Sequence, residues 1–278
     1  MVDKVKSILF VVCLAFIFFA FGALNPGGNS LNLVENCVSQ EHAIYGLPKK
    51  LSGKEIVLLH NEGYLAGYDS SIMQSRWVSY ELTSEELIKV VSRDDKFRPD
   101  TRLKGKRAEL NDYKKSGYDR GHLAPAADMA WSAKAMSESF LLTNMSPQLP
   151  SLNRGEWKRL EEYVRDLASD FDTVAIVTGP LFTDEKKVIG KGVRIPTAFY
   201  KVLLLKRMKR GFTAIGFILP NSGVVEDFTD YAVSVDSVEK VSGFDFFSCL
   251  PDKTEQKIES RCLKEEWFNT NDARKGIN

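Results

Sequence analysis

Tyr118-Asp119-Arg120-Gly121-His122-Leu123-Ala124-Pro125 carries most of the chemistry legible in this chain. Two later pieces extend it: Leu141-Leu142-Thr143-Asn144-Met145-Ser146-Pro147-Gln148, then Leu152-Asn153-Arg154-Gly155-Glu156-Trp157. If the first piece is extended, Arg120 and His122 project from the same face. Arginine offers a fixed fork of donors for phosphate oxygens. A neutral histidine beside it can take a proton from water near neutral pH. The pair suits phosphodiester hydrolysis, although an Arg-x-His spacing alone is common.

Downstream, residues 151–170 read as a helix. Trp157, Leu160, Val164 and Leu167 form one apolar stripe for a core. Asn153 has two readings. It can cap the helix, with Glu156 supplying the reciprocal contact, and Glu161 with Arg165 can then be a surface ion pair. Alternatively, Asn153, Glu161 and Arg165 share a helical edge beside the stripe and face a cleft, where an amide oxygen can bind a hard cation such as Mg²⁺. Residue chemistry alone leaves both open.

Outward from this segment, strands dominate. Ile56–His60 and Leu65–Asp69, separated by Asn61-Glu62-Gly63, read as a hairpin. Arg76–Leu82 reads as a strand, followed by a turn or helix start at Thr83-Ser84-Glu85-Glu86. The polar run 92–118 reads as an extended surface loop. Thr173–Thr178, Thr197–Leu205 and Phe212–Leu219 are strand-like, with Gly179-Pro180 and Lys209-Arg210-Gly211 as punctuation. No βαβ rhythm is present, so the expected class is α+β with a largely antiparallel central sheet flanked by helices.

The 278 residues carry 38 Lys+Arg against 37 Asp+Glu, a net charge of +1, with 44% hydrophobic and 27% charged residues. These values exclude collagen, coiled coil and disorder, and argue against coating nucleic acid by bulk charge. The chain has three histidines, His42, His60 and His122, too few for most multi-histidine metal cages. Lys4 and Lys6 precede an apolar run, Ile8–Leu24, that reads as a signal peptide with cleavage near 22–25, or as a retained signal anchor. Removing residues 1–22 leaves 36 basic and 36 acidic residues. Of Cys37, Cys249 and Cys262, the last two lie close in sequence and are the expected disulfide pair. The expected layout is a signal segment (1–24), an N-terminal extension (25–50), one catalytic domain (51–265) and a polar tail (266–278).

Asp119-Arg120-Gly121-His122, Thr143-Asn144-Met145-Ser146-Pro147-Gln148 and Leu152-Asn153-x-Gly155-x-Trp157-x-x-Leu160-Glu161 together resemble the DNA/RNA non-specific endonuclease family, the endonuclease G-like ββα-metal nucleases. The resemblance spans roughly residues 50–260 and implies a ββα-metal fold. It implies a Mg²⁺-dependent, sugar-non-specific endonuclease leaving 5′-phosphate and 3′-hydroxyl ends, with Mn²⁺ able to substitute. His122 would be the general base and Asn153 the direct metal ligand, with Glu161 acting through metal-bound water. Arg120 and Arg165 would contact the phosphate, Asn144 would support the site, and Arg93 would bind phosphate upstream, with Arg98 as its competitor. DNA and RNA are the implied substrates, and family members can be homodimers. With an export segment in front, the protein would be periplasmic or secreted, or membrane-anchored with its domain outside the cytoplasm. Two other readings stand beside this one: a non-catalytic polyanion-binding module, and a phosphodiesterase for a smaller substrate.

Overall fold

A computed structural model describes residues 38–50, 56–183, 185–207, 211–223 and 225–268. The strands are β1 (Lys49–Lys50), β2 (Val57–His60), β3 (Leu65–Asp69), β4 (Gln74–Thr83), β5 (Asp119–His122), β6 (Met145–Gln148) and β7 (Thr173–Leu181). They continue with β8 (Val188–Ile189), β9 (Val193–Arg194), β10 (Ala198–Arg207), β11 (Gly211–Pro220), β12 (Ala232–Val233) and β13 (Phe244–Asp245). The α-helices are α1 (Leu110–Tyr113), α2 (Ala133–Ser139), α3 (Pro150–Arg154), α4 (Glu156–Phe171), α5 (Val235–Ser242), α6 (Asp252–Glu259) and α7 (Lys264–Phe268).

Seven strands form the central sheet in the order β12-β11-β10-β7-β4-β3-β2, and every pairing in it is antiparallel. Both faces are covered, which explains the nearly unbroken apolar runs of β7 and β10. Side chains alternate between two cores. Val174, Ile176, Leu203 and Leu205 pack toward α4, whose Trp157, Leu160, Val164 and Leu167 are all buried. Ala175, Val177, Val202 and Leu204 face the other way, against Val235 and Val238 of α5 and Ile258 of α6. Burying each large residue of the α4 stripe contributes about 1.5–3 kcal/mol, so this helix is fixed firmly to the sheet. Residues 38–50 also join the fold, since Ala43 and Tyr45 pack into the second core.

Three local expectations are corrected. The run 92–118 is not a plain surface loop. Leu103, Ala108 and Tyr113 are buried, α1 lies within it, and the Arg98 backbone bridges to Leu141. Its polarity misleads because buried Asp100 is satisfied by Arg102 and Thr143. The helix expected over 151–170 is two helices broken at Gly155, where a Cβ would collide with the Ser151 carbonyl oxygen. Asn153 therefore lies inside α3 and caps nothing, while Glu156 binds Arg159 and the Phe228 N–H. Finally, Cys249 is disulfide-bonded whereas Cys262 is a free thiol, so those two do not pair. The apolar run Ile8–Leu24 and Cys37 lie outside the described residues.

The β5–β6 hairpin sits apart from the central sheet, with Gly121 opposite Ser146. Here glycine is required by close approach, because a Cβ would stand 2.6 Å from the Cβ of buried Gln148. Gly121→Ala should cost about 1–3 kcal/mol through overpacking and lower Tm by roughly 2–10 °C for a domain of this size. An unchanged Tm in a thermal melt would show that the hairpin absorbs the methyl group.

Candidate active site

Arg120 and His122 lie on β5, Asn153 on α3, and Glu161 and Arg165 on α4, while Arg93 comes from the segment after β4. Arg120 and His122 share one face of β5, as their common neighbour Phe97 shows. The Arg120 guanidinium lies 4.0 Å from the Phe97 ring centre, and the His122 ring lies 5.7 Å from it. Phe140 packs edge-on to His122 at 5.0 Å, and the Arg93 guanidinium lies over Phe140 at 5.0 Å. Arg93, Arg120 and His122 are thus gathered around two phenylalanines, which no sequence pattern indicated. Arg93 forms an ion pair with Asp95 at 2.7 Å. Among the described residues Arg120 makes no hydrogen bond or ion pair. Arg98, the competitor for the upstream role, instead donates to the Ser137 carbonyl at 2.7 Å and serves the fold.

His122 Nε2 is shielded from solvent and has no hydrogen-bond partner. Burial, reinforced by the Arg93 and Arg120 cations against the opposing Asp95, pushes the imidazole down to about 3. The ring is therefore neutral at physiological pH, as a proton acceptor must be. Beyond it, Asn144 holds the chain. Its Oδ1 accepts the Ala124 N–H, and its Nδ2 donates to the carbonyls of Ala124 and Ser139, all at 2.9 Å. The side chain is fully buried, which also removes the Asn144-Met145-Ser146 sequon from use.

Asn153 projects from α3 to the base of the same hairpin, where its Nδ2 donates to Asp119 Oδ2 at 2.9 Å. A carboxylate can only accept, so this contact fixes which end of the amide faces Asp119. Asn153 Oδ1 is left without a partner among the described residues. A lone, oriented amide oxygen suits a hard divalent cation that keeps most of its waters. Arg154 adds two bonds to Asp119, at 2.9 and 2.7 Å. Burial raises the Asp119 pKa, but these hydrogen bonds outweigh it and hold the carboxyl below its usual range.

A second cluster lies where α4 meets the sheet. Arg165 donates to Asp128 at 2.9 Å, and the Tyr80 hydroxyl donates to the other Asp128 oxygen at 2.9 Å. Of the two readings of Arg165, the surface pair with Glu161 gives way to a partly buried contact with Asp128. Burial pushes the Glu161 carboxyl up, against the pull of Lys201 and Arg165. Lys201 is fully buried, its Nζ has no hydrogen-bond partner, and it lies 4.9 Å from the Trp157 ring centre. Burial lowers its pKa, and the Glu161 charge opposes that. Sequence reading passed over Asp128 and Lys201. For Lys201 a signal existed: it alternates with Phe199 and Leu203 and so points to the α4 face of β10. His42 and His60 are remote from both clusters in role. His42 faces Glu81 at 3.9 Å and His60 is exposed on β2.

A hairpin bearing the histidine, followed by a helix bearing the asparagine, beside an antiparallel sheet defines the molecule as a ββα-metal nuclease. The chain belongs to the DNA/RNA non-specific endonuclease family, whose profile matches residues 39–253. It is similar to human mitochondrial endonuclease G, at 38% identity over 74% of this chain and 73% of that protein. A nuclease of Nostoc sp. is 35% identical over 77% of this chain and 81% of that protein. Mitochondrial nuclease 1 of Schizosaccharomyces pombe is 32% identical over 82% of this chain and 76% of that protein. A chain in the crystal structure of the EndoG/EndoGI complex superposes with a TM-score of 0.69 and 31% identity, covering 75% of this chain and 91% of that chain. These relatives overturn one expectation. Nucleases of human, fission yeast, zebrafish and cattle in this set are mitochondrial, so the reading of a periplasmic, secreted or outward-anchored protein is withdrawn. Among the described residues no helix is long and apolar enough to cross a membrane.

The depressed His122 pKa has a measurable sign. The unfolded imidazole binds its proton near pH 6.5 and the folded one near 3. His122 thus makes stability fall as pH drops through that window and contributes nothing above it. In an NMR titration the His122 ring signals should stay flat from pH 8 to 5. A His122 midpoint near 6.5 would contradict its enclosure.

Proposed function

We propose that the protein is a Mg²⁺-dependent endonuclease that hydrolyses DNA and RNA to 5′-phosphate and 3′-hydroxyl ends, with His122 as general base. The observation that carries this reading is the pairing of a neutral, half-buried His122 with an Arg120 guanidinium that has no anionic partner among the described residues. A phosphodiester supplies the anion that Arg120 lacks. Its charge also raises the basicity of the imidazole as substrate arrives. With Nε2 shut off from solvent, the proton from the attacking water goes to Nδ1.

Arg120 and Arg93 hold the scissile phosphate, and Arg165, steadied by Asp128, adds positive charge behind it. Asn144 acts as a positioning residue by fixing the chain beyond His122. Asn153 Oδ1 would hold Mg²⁺ directly and Glu161 would hold it through water, with Mn²⁺ as a substitute. When bound, the metal supplies charge that stabilises the phosphate and the departing 3′ oxygen. Groups arranged around phosphate read the backbone and not base edges, which favours breadth of substrate.

His122→Ala should lower turnover of plasmid DNA and RNA at neutral pH by about 10²–10⁴-fold, the range of general-base catalysis, while the melting curve stays cooperative. Asn153→Ala should abolish activity at millimolar Mg²⁺, and EDTA should stop the unaltered protein. Full cleavage by the folded His122 variant would sink the base assignment, and EDTA-resistant cleavage would sink the metal. A polyanion-binding module would bind in the same gels and cleave nothing.

Lys201→Met tests the buried charges. The Lys201 cation holds the Glu161 pKa down, so removing it lets Glu161 keep its proton to higher pH. The acid limb of the kcat profile should move to higher pH, with KM for DNA little changed. An unmoved limb would mean that Glu161 ionisation does not govern turnover.

A further inference from the structure

On the opposite face of the sheet from α4, helices α5 and α6 bring three carboxylates together. Asp236 and Glu239 from α5 and Glu259 from α6 each place an oxygen within 4.8 Å of the other two. Asp236 is exposed, whereas Glu259 is only 4% exposed and its Oε1 is buried without any hydrogen-bond partner. Glu239 spends one oxygen on the Phe246 N–H at 2.8 Å. Among the described residues no lysine or arginine forms an ion pair with any of the three.

Uncompensated buried carboxylates are costly and are normally paired or bound to metal. Here burial first, and neighbouring carboxylates second, push Glu259 up to about 10 and Glu239 up to about 7. Lys49, opposite Asp245 on the β1–β13 pair, forms no ion pair with the cluster among the described residues. Three carboxylates at one point suit Ca²⁺, which takes about six to eight oxygen ligands, better than Mg²⁺, which is usually held by one or two carboxylates and keeps its waters.

We propose that Asp236, Glu239 and Glu259 form a divalent-cation site, suited to Ca²⁺, that is separate from the nuclease centre and clamps α6 to α5. Binding displaces the proton that burial keeps on Glu259 and supplies the positive charge the resulting carboxylate needs, and a rim open at Asp236 gives the ion an entry path. The site has no part in phosphodiester chemistry. Its effect falls on the packing of the C-terminal helices against β11, which both α5 and α6 contact.

The test uses calorimetric titration of CaCl₂ into the full-length chain carrying Asn153→Ala, so that the oxygen assigned to the catalytic metal is absent. One Ca²⁺ per chain should bind, and a roughly hundredfold excess over Kd should raise Tm by about 5–10 °C. Asp236→Asn, at an exposed position that does not threaten folding, should weaken binding by about tenfold or more through the lost ligand charge. Glu259→Gln should abolish binding and raise Tm in EDTA, because a neutral amide is easier to bury. Absence of uptake, or uptake unchanged by both substitutions, would overturn the proposal.

Discussion

The Asp119 carboxylate takes three hydrogen bonds from two residues of α3, and so joins that helix to the strand that carries Arg120 and His122. The bonds are not equal in value. Arg154 is 72% exposed, so its contribution is screened and small. The Asn153 contact is partly buried, and it does more than stabilise. A carboxylate accepts and never donates in this state, so it dictates the direction of the amide and leaves Oδ1 aimed elsewhere. Gly155 completes the arrangement by ending α3 there, so that α4 can follow the sheet while α3 stays with the hairpin.

The four charges around α4 are expensive in a way that points to use and not to stability. Asp128 and Lys201 are almost fully buried, and Glu161 and Arg165 are partly so. Buried ion networks are often no more stable than well-packed apolar replacements. Here the charges balance, two against two, yet Lys201 Nζ finds no hydrogen bond and leans on the Trp157 ring instead. Perturbed ionisable groups gathered where α4 meets the sheet are what a functional site looks like in physical terms. Tyr80, from the middle of the central sheet, fixes Asp128 from below, so the rigid sheet sets the position of the charges.

The sheet was legible because two-sided burial writes itself as apolar runs bounded by glycine and proline, and Leu65–Asp69, Thr173–Thr178 and Phe212–Leu219 all lie within strands. The α4 stripe was legible because its period matches a helix. What escaped notice depended on tertiary pairing. The run 92–118 looked solvent-bound because its charges neutralise one another locally, which hides the anchoring role of Leu103 and Tyr113. The Asn153 cap reading failed because a single glycine splits a pattern that periodicity treats as continuous. The disulfide expectation failed because closeness in sequence is not closeness of side chains. Lys201 went unremarked because a lone cation in a strand is read as solvated unless its alternation partners are checked.

The near-neutral charge of the chain bears on how substrate is held. Arg93 already has Asp95 as a partner, while Arg120 has only the Phe97 ring. On the proposed reading, an incoming phosphate would meet in Arg120 a cation with no anion to give up, whereas at Arg93 it would displace an exposed and weak pair with Asp95. Each phosphate contact made by a cation adds affinity through released counterions, and a surface rich in free arginines would retain product as firmly as substrate. If Arg93 and Arg120 hold substrate as proposed, so small a group of arginines around one histidine would limit that retention. On that reading affinity would be concentrated on the phosphate beside His122, with little of it spent on the rest of the strand.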